Sequence, residues 1–299
     1  MYDLIIVGAG PAGITASVYA ARKRLNFMVI TKDIGGQTAW SGDIENYTGY
    51  QFITGPDLTA KFEEHMRRYN VDLREEEVVS IEKRGKHVWV KTLKQEYEGK
   101  TAIIASGKKS RELNVPGEAE FKNRGLTYCA TCDAPLFAGK PVAVIGGGNS
   151  GLDAALQLNK IAKYVHLINI SPDLTGDPIM QEKVSASPII SVLNNTKTLA
   201  VLGDKFVTGL KIFKDGKEEL LPVEGVFVEI GLIPNSGVAK DVEKNEWGEI
   251  KVNSYNETNV PGIFAAGDVT DVPEKQIVIA AGEGSKASLS VFKYLNKLR

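Results

Sequence analysis

The sequence predicts an α/β protein built of two doubly wound units, the second inserted in the first. Three observations carry that prediction. A short apolar strand, a glycine-rich turn and a helix open the chain in "YDLIIVGAGPAGITASVYAARK". The same order returns in "KPVAVIGGGNSGLDAALQLNKIAKYVHLIN". A last apolar strand, "VPGIFAAGDVTD", ends on Gly267-Asp268 and is followed by a long amphipathic helix. Such strand–turn–helix–strand units are Rossmann-like, three-layer ββα nucleotide-binding domains. The expected division is residues 1–115 for the first part of one domain, 116–241 for the inserted domain, and 242–299 for the remainder.

The elements follow in order. Leu4 to Val7 is a near-continuous apolar strand, as a parallel strand covered on both faces requires. "GPDLTAKFEEHMRRYNV" reads as an amphipathic helix and "KHVWVKTL" as an alternating strand. A third apolar strand ends in a tight turn near Ile103 to Gly107. In the inserted unit a strand spans Val142 to Ile145, a helix runs to about Ile161, and a second strand spans Tyr164 to Ile168. The stretch from Ser191 to Asn235 reads as short strands joined by Gly-Asp and Asp-Gly turns. Val115-Pro116-Gly117 and the region of Asp241 mark the expected edges of the insertion.

The bulk numbers exclude several classes. With 299 residues, 43% hydrophobic and 24% charged, the chain has the composition of an average soluble globular protein. A net charge of -1 gives no electrostatic case for nucleic acid or an anionic membrane. No run of eighteen or more apolar residues is present, so no membrane-spanning helix is expected. The chain opens directly on its first strand with no secretory signal, and a cytoplasmic location is expected.

Gly8, Gly10 and Gly13 form one G-x-G-x-x-G, with Pro11 and Ala12 inside it; Gly146, Gly148 and Gly151 form another, enclosing Asn149 and Ser150. In such a turn the first glycine takes an unusual backbone angle. The second lets the chain approach a pyrophosphate, and the third lets helix and strand pack closely. The helix start then presents partial positive charge to the phosphates. A lone match can be no more than a tight strand–helix turn; here both follow a strand and open a helix. The acid that usually reads a ribose diol is missing from both, where Thr31-Lys32 and Asn169-Ile170-Ser171 stand instead.

The chain has two cysteines, Cys129 and Cys132, in "TYCATCDAPLF". Half of a zinc site would need two more ligands, and His65, His87 and His166 lack ligand spacing, so no metal is expected. Buried inert thiols are a second reading. A redox dithiol is the third, since C-x-x-C spacing allows an intramolecular disulfide. Asp133 behind the second cysteine suits proton transfer, or serves as a helix N-cap.

Taken in order, "VGAGPAG", "GGQ" (Gly35 to Gln37), "IENY" (Ile44 to Tyr47), "CATCD", "VAVIGGGNSG" and "GIFAAGDV" resemble the low-molecular-weight thioredoxin reductases. The carboxyl-terminal part is closer still to the flavoprotein subunit of alkyl hydroperoxide reductase, whose extra amino-terminal module is not expected here. The resemblance covers essentially the whole chain. It implies FAD on the first fingerprint, with Thr31, Gly36, Gln37, Asn46, Gly107, Asp268, Gln276 and Ile277 around the flavin nucleotide. Lys275-Gln276-Ile277 would open a helix whose start faces the flavin O2 edge. It implies NADH or NADPH on the second fingerprint, with Asn169 near the ribose. Cys132 would be the flavin-proximal thiol, Asp133 the acid–base, and Cys129 the attacking thiol. The partner would be a separate thioredoxin- or glutaredoxin-like protein, and the enzyme a homodimer. Domain rotation would carry the dithiol between flavin and partner.

One departure bears on the donor. The resembled reductases have a His-Arg-Arg run where Asn169-Ile170-Ser171 stands, and the peroxide-reductase flavoprotein has Glu at the first of these positions. NADH is therefore favoured over NADPH. A ferredoxin-type or other donor to the same dithiol, a flavin NAD(P)H oxidase or ferredoxin-type reductase without dithiol chemistry, and a redox-sensing protein remain open.

Overall fold

The computed structural model describes every residue except Gly42 and Arg299, and describes Trp40, Asp43, Thr131 and Cys132 by their backbone alone. It divides the chain into two compact units, Met1–Lys109 with Ile233–Arg299, and Ser110–Leu232.

In the first unit a seven-stranded sheet runs Asp72–Glu75, Phe27–Ile34, Tyr2–Ala9, Glu96–Ile104, His87–Thr92, Val78–Arg84, with Ile263–Ala265 also paired to Glu96–Ile104. Strands 2–9, 27–34, 72–75, 96–104 and 263–265 pair in parallel, and the 78–84 and 87–92 pair adds an antiparallel hairpin. Alternation along Leu4-Ile5-Ile6-Val7 explains the unbroken apolar run. Leu4 and Ile6 enter one core cluster with the helices Pro11–Arg22 and Ile277–Lys297. Ile5 and Val7 enter another with Ile81, Val88, Val90, Val242 and Ile250. A strand flanked on both faces has no polar side to show.

The second unit repeats the plan. Its five-stranded sheet has the order Leu126–Thr127, Gly225–Val228, Pro141–Ile145, Tyr164–Ile168, Ile190–Leu193. Phe227 packs against Leu152 and Ala155 of the helix Asn149–Leu158 on one face. Val226 and Val228 pack on the other against Val201, Val207 and Leu210 of an antiparallel sheet. The Asp-Gly turn expected in that sheet falls at Asp215-Gly216, both at positive φ, between strands Val207–Lys214 and Lys217–Pro222. From Pro141–Ile145 the chain winds outward through 164–168 and 190–193, while Gly225–Val228 lies on the other side. The order therefore reverses between residues 145 and 228, and such a switch point opens a crevice at the strand ends.

The chain divides at 109/110 and 232/233, upstream of the expected 115/116 and 241/242. Pro116-Gly117 reads as a linker, but Pro116 O accepts the amide of Val201, and Leu113 and Val115 pack on the second unit's core. Ala239 and Val242 likewise belong to the first unit's core.

Candidate active site

At the first turn Gly8 has φ +105°, and a Cβ there would overlap the carbonyl of Ala105. A Cβ on Gly13 would overlap the carbonyl of Gly8, so strand and helix approach backbone to backbone. Gly10 differs. Its φ of -78° is open to any residue, and an added Cβ would find nothing nearer than Gly35 O at 3.8 Å. The fold does not demand glycine at position 10; the space above it is kept clear. The helix Pro11–Arg22 starts there without a side-chain cap, with Pro11 in its first turn.

The surroundings divide into groups that face this space and groups used up by the fold. The Gly35-Gly36 loop lies beside Gly10, and a Cβ on Gly36 would sit 3.5 Å from its Cα. Gly267 and Gly284 both press on Ala12, so the end of strand 263–265 and the helix 277–297 meet the first helix at its start. Asp268 follows directly; burial pushes its carboxyl up, and Lys275 and Lys108 pull it back. Both lysines bond Glu249, at 3.1 and 3.0 Å. Asn46 donates to Gln276 at 3.1 Å, and Gln276 caps the helix Ile277–Lys297 without a side-chain cap bond. Gln37 donates to Lys108 O at 2.9 Å. Gly107 takes positive φ, and its carbonyl accepts the amide of Asn235. Thr31 is buried, accepting from Ala9 N at 3.1 Å and donating to Asp33 O. Its hydroxyl holds the turn in shape.

The second turn reproduces the first. Cβ atoms on Gly146 and Gly151 would overlap the carbonyls of Glu229 and Gly146, whereas at Gly148 the nearest atom is Thr175 Oγ1 at 3.7 Å. The helix Asn149–Leu158 begins there, again uncapped by a side chain. Asn149 accepts from Asp177 N at 2.6 Å, and Ser150 is exposed. Asn169 is buried against Gly147, donating to Ser171 O, Asp173 O and Asn194 Oδ1 at 2.9 to 3.0 Å and accepting from Ser171 N at 3.3 Å. A ribose contact by Asn169 would have to displace one of these bonds.

Cys129 is disulfide-bonded, and the chain's other cysteine is Cys132. The part expected of Cys132 as the flavin-proximal thiol concerns a side chain outside the described residues. Thr127 Oγ1 accepts the Cys129 amide at 3.1 Å and donates to Asp133 Oδ2. Asp133 N in turn donates to Cys129 O at 3.2 Å. Asp133 stands at the N-cap of the 3-10 turn Ala134–Phe137 without making a cap bond, its carboxylate turned to Thr127 instead.

Sequence reasoning passed over the anchor of this loop. Glu118 is buried and accepts from Leu113 N and Asn114 N, both at 2.6 Å, and from Tyr128 OH at 2.7 Å. Burial and Glu118 hold the Tyr128 phenol well above its ordinary range, so it remains a donor throughout neutral pH. A Glu two places before another in "PGEAEF" carries no signal of this. Tyr128→Phe should lower stability by about 1.5–3 kcal/mol, as for a hydrogen bond to a charged group. Denaturant unfolding at pH 7 measures it, and an unchanged midpoint would deny the anchor.

Comparison with known proteins agrees with this geometry. The pyridine nucleotide-disulphide oxidoreductase family matches residues 2–284. An alkyl hydroperoxide reductase subunit of Pseudomonas putida is 44% identical over 303 residues, covering 98% of this chain and 58% of its own. A Bacillus subtilis protein named NADH dehydrogenase is 40% identical over 298 residues, with the same coverages of 98% and 58%. The chain thus spans 58% of the length of these curated relatives. Thioredoxin reductase of T. acidophilum, a crystal structure, matches with a TM-score of 0.93 at 38% identity, covering 100% of this chain and 99% of that one.

Proposed function

Because the chain belongs to the pyridine nucleotide-disulphide oxidoreductases, we propose that it is a thioredoxin reductase-like FAD enzyme passing electrons from NADH to a thioredoxin- or glutaredoxin-like protein. The observation that carries this reading is the disulfide-bonded Cys129 held in one hydrogen-bonded ring with Thr127 and Asp133.

The first turn fits FAD. Gly10 and Gly36 leave clear the space over an uncapped helix start, where a pyrophosphate is held by backbone amides. Asp268 suits the hydroxyl-bearing arm and the helix start at Gln276-Ile277 the ring's polar edge. Bound flavin supplies the two-electron chemistry that links a nicotinamide to a disulfide. The second turn fits a nicotinamide nucleotide by the same backbone logic.

The chain's own part is thiol chemistry. In the reduced dithiol, the Cys129 thiolate attacks the partner's disulfide, forming a mixed disulfide and releasing one partner thiol. The Cys132 thiolate then attacks the Cys129 sulfur, closing the intrachain disulfide and freeing the second partner thiol. Asp133 takes the proton from the resolving thiol, and the Thr127 hydroxyl holds that carboxylate in place. We take the enzyme to be a homodimer of the cytoplasm, a compartment where dithiols stay exchange-competent. Among the described residues no helix is long and apolar enough to cross a membrane.

NADH is favoured because residues 169–177 contain no Lys or Arg and two aspartates, Asp173 and Asp177. Each charged hydrogen bond to a 2′-phosphate is worth about 1.5–3 kcal/mol, so NADH should bleach the flavin at least ~10-fold faster than NADPH under anaerobic conditions. Equal rates, or faster bleaching by NADPH, would refute the preference. Bleaching by reduced ferredoxin alone would replace the donor and leave the thiol chemistry standing.

A further inference from the structure

Glu229 stands one residue past the strand Gly225–Val228, at the crevice where the strand order reverses. Its carbonyl lies against Gly146, and its amide donates to Ile145 O at 2.8 Å. Phe227 faces the helix Asn149–Leu158 and Val228 faces the opposite layer, so alternation turns Glu229 to the helix side. There it meets the field of Asp153, which accepts a hydrogen bond from Gln157 at 2.8 Å. A half-buried carboxyl thus lines the mouth of the second glycine turn, and no step of the thiol chemistry uses it.

A dinucleotide in such a crevice puts its adenosine ribose at the end of the second strand, here Tyr164–Ile168. Its pyrophosphate lies at the helix start, and its other half leaves across the switch point, on the Glu229 side. We propose that Glu229 binds the nicotinamide half of the dinucleotide and makes binding at the second turn depend on pH. This rests on the reading of that turn as a nicotinamide nucleotide site.

The electrostatics support the geometry. Burial first, and Asp153 second, push the Glu229 carboxyl up to about 8. Below that pH the neutral acid donates a hydrogen bond to a ribose hydroxyl or phosphate oxygen. Above it the carboxyl releases its proton, and the resulting anion repels the pyrophosphate across a poorly solvated gap. Asp153 is the one titratable residue on its helix, and the strands Pro141–Ile145 and Gly225–Val228 and the turn Gly146–Gly148 carry none. On the neighbouring helix Ala130–Asp133, the carboxylate of Asp133 is engaged by Thr127.

The experiment is calorimetric titration of the full flavoprotein with NAD⁺ from pH 6 to 9.5, which reads binding without turnover. The wild-type Kd should be flat to pH 7 and rise about 10-fold by pH 9, as for a ligand that takes only the protonated form. Glu229→Gln, which keeps a neutral donor, should match wild type at pH 6.5 and show no rise. Asp153→Asn removes the charge that favours the neutral acid, and should shift the wild-type rise to lower pH. A flat wild-type profile, or an equal rise in Glu229→Gln, overturns the assignment of Glu229 while leaving the nucleotide site intact. No NAD⁺ binding at any pH in any of the three proteins overturns the site itself, and the assignment with it.

Discussion

Serine at position 129 should leave a yellow protein whose flavin NADH still bleaches but which no longer reduces a thioredoxin-like disulfide. The two readouts separate because they depend on different residues. On the proposed function, flavin retention depends on the first glycine turn, which lies in the first unit. On the same proposal, transfer to the partner depends on the Cys129 sulfur that opens the exchange. Removing the sole nucleophile of a covalent route costs on the order of 10³-fold or more in kcat/KM. The fold should survive. A disulfide to Cys132, as the proposed thiol chemistry requires, would close a loop of only four residues, and the chain-entropy account assigns so short a loop about 2 kcal/mol. Thr127 and Asp133 keep their mutual bond in the variant. Stopped-flow bleaching and a coupled disulfide assay decide the matter. Undiminished partner reduction would assign the chemistry to the flavin alone.

Alanine at Gly13 and alanine at Gly10 should fail in opposite ways. At Gly13 the new Cβ overlaps the Gly8 carbonyl, and backbone on both sides leaves nothing to give way. Overpacking of this kind costs about 1–3 kcal/mol, occasionally more. The variant should melt several degrees lower even as apoprotein. At Gly10 the backbone angles already suit alanine and the nearest atom is 3.8 Å away. The Gly10→Ala apoprotein should melt within ~0.5 kcal/mol of wild type, as surface substitutions do. Its methyl group would stand where the proposed FAD pyrophosphate approaches the helix start, so flavin affinity should fall by at least ~10-fold. Thermal melts of flavin-free protein and titration with FAD measure the two effects. A Gly10→Ala protein with full flavin affinity would break the argument that this space serves a ligand.

The contrast between those glycines explains what the sequence made legible. Gly13 and Gly151 are fixed by contacts inside one strand–turn–helix unit, with the carbonyls of Gly8 and Gly146, so local spacing announces them; Gly8 and Gly146 themselves meet Ala105 and Glu229, far along the chain. Thr31 and Asn169 illustrate the opposite case. Each stands where a ribose reader is expected, and each is turned inward by partners its neighbourhood does not advertise: Ala9 for Thr31, Asn194 for Asn169. The borders of the insertion were obscured for a related reason. Pro116-Gly117 has the composition of a linker, but Val201, far along the chain, bonds to it. Glu229 escaped notice because one acid after "VFV" looks like an ordinary strand end. Only the reversal of strand order places it at a crevice.

The contact of Gly267 and Gly284 with Ala12 has a consequence for synthesis. Residues Ser110–Leu232 form a contiguous stretch and can complete their core while the rest is still being translated. The amino-terminal unit cannot. Its sheet waits for Ile263–Ala265, and its first helix waits for the surface supplied by residues 277–297. Within residues 1–299 the earlier segment is therefore finished last, and flavin loading on the first turn, as proposed, would follow the inserted unit.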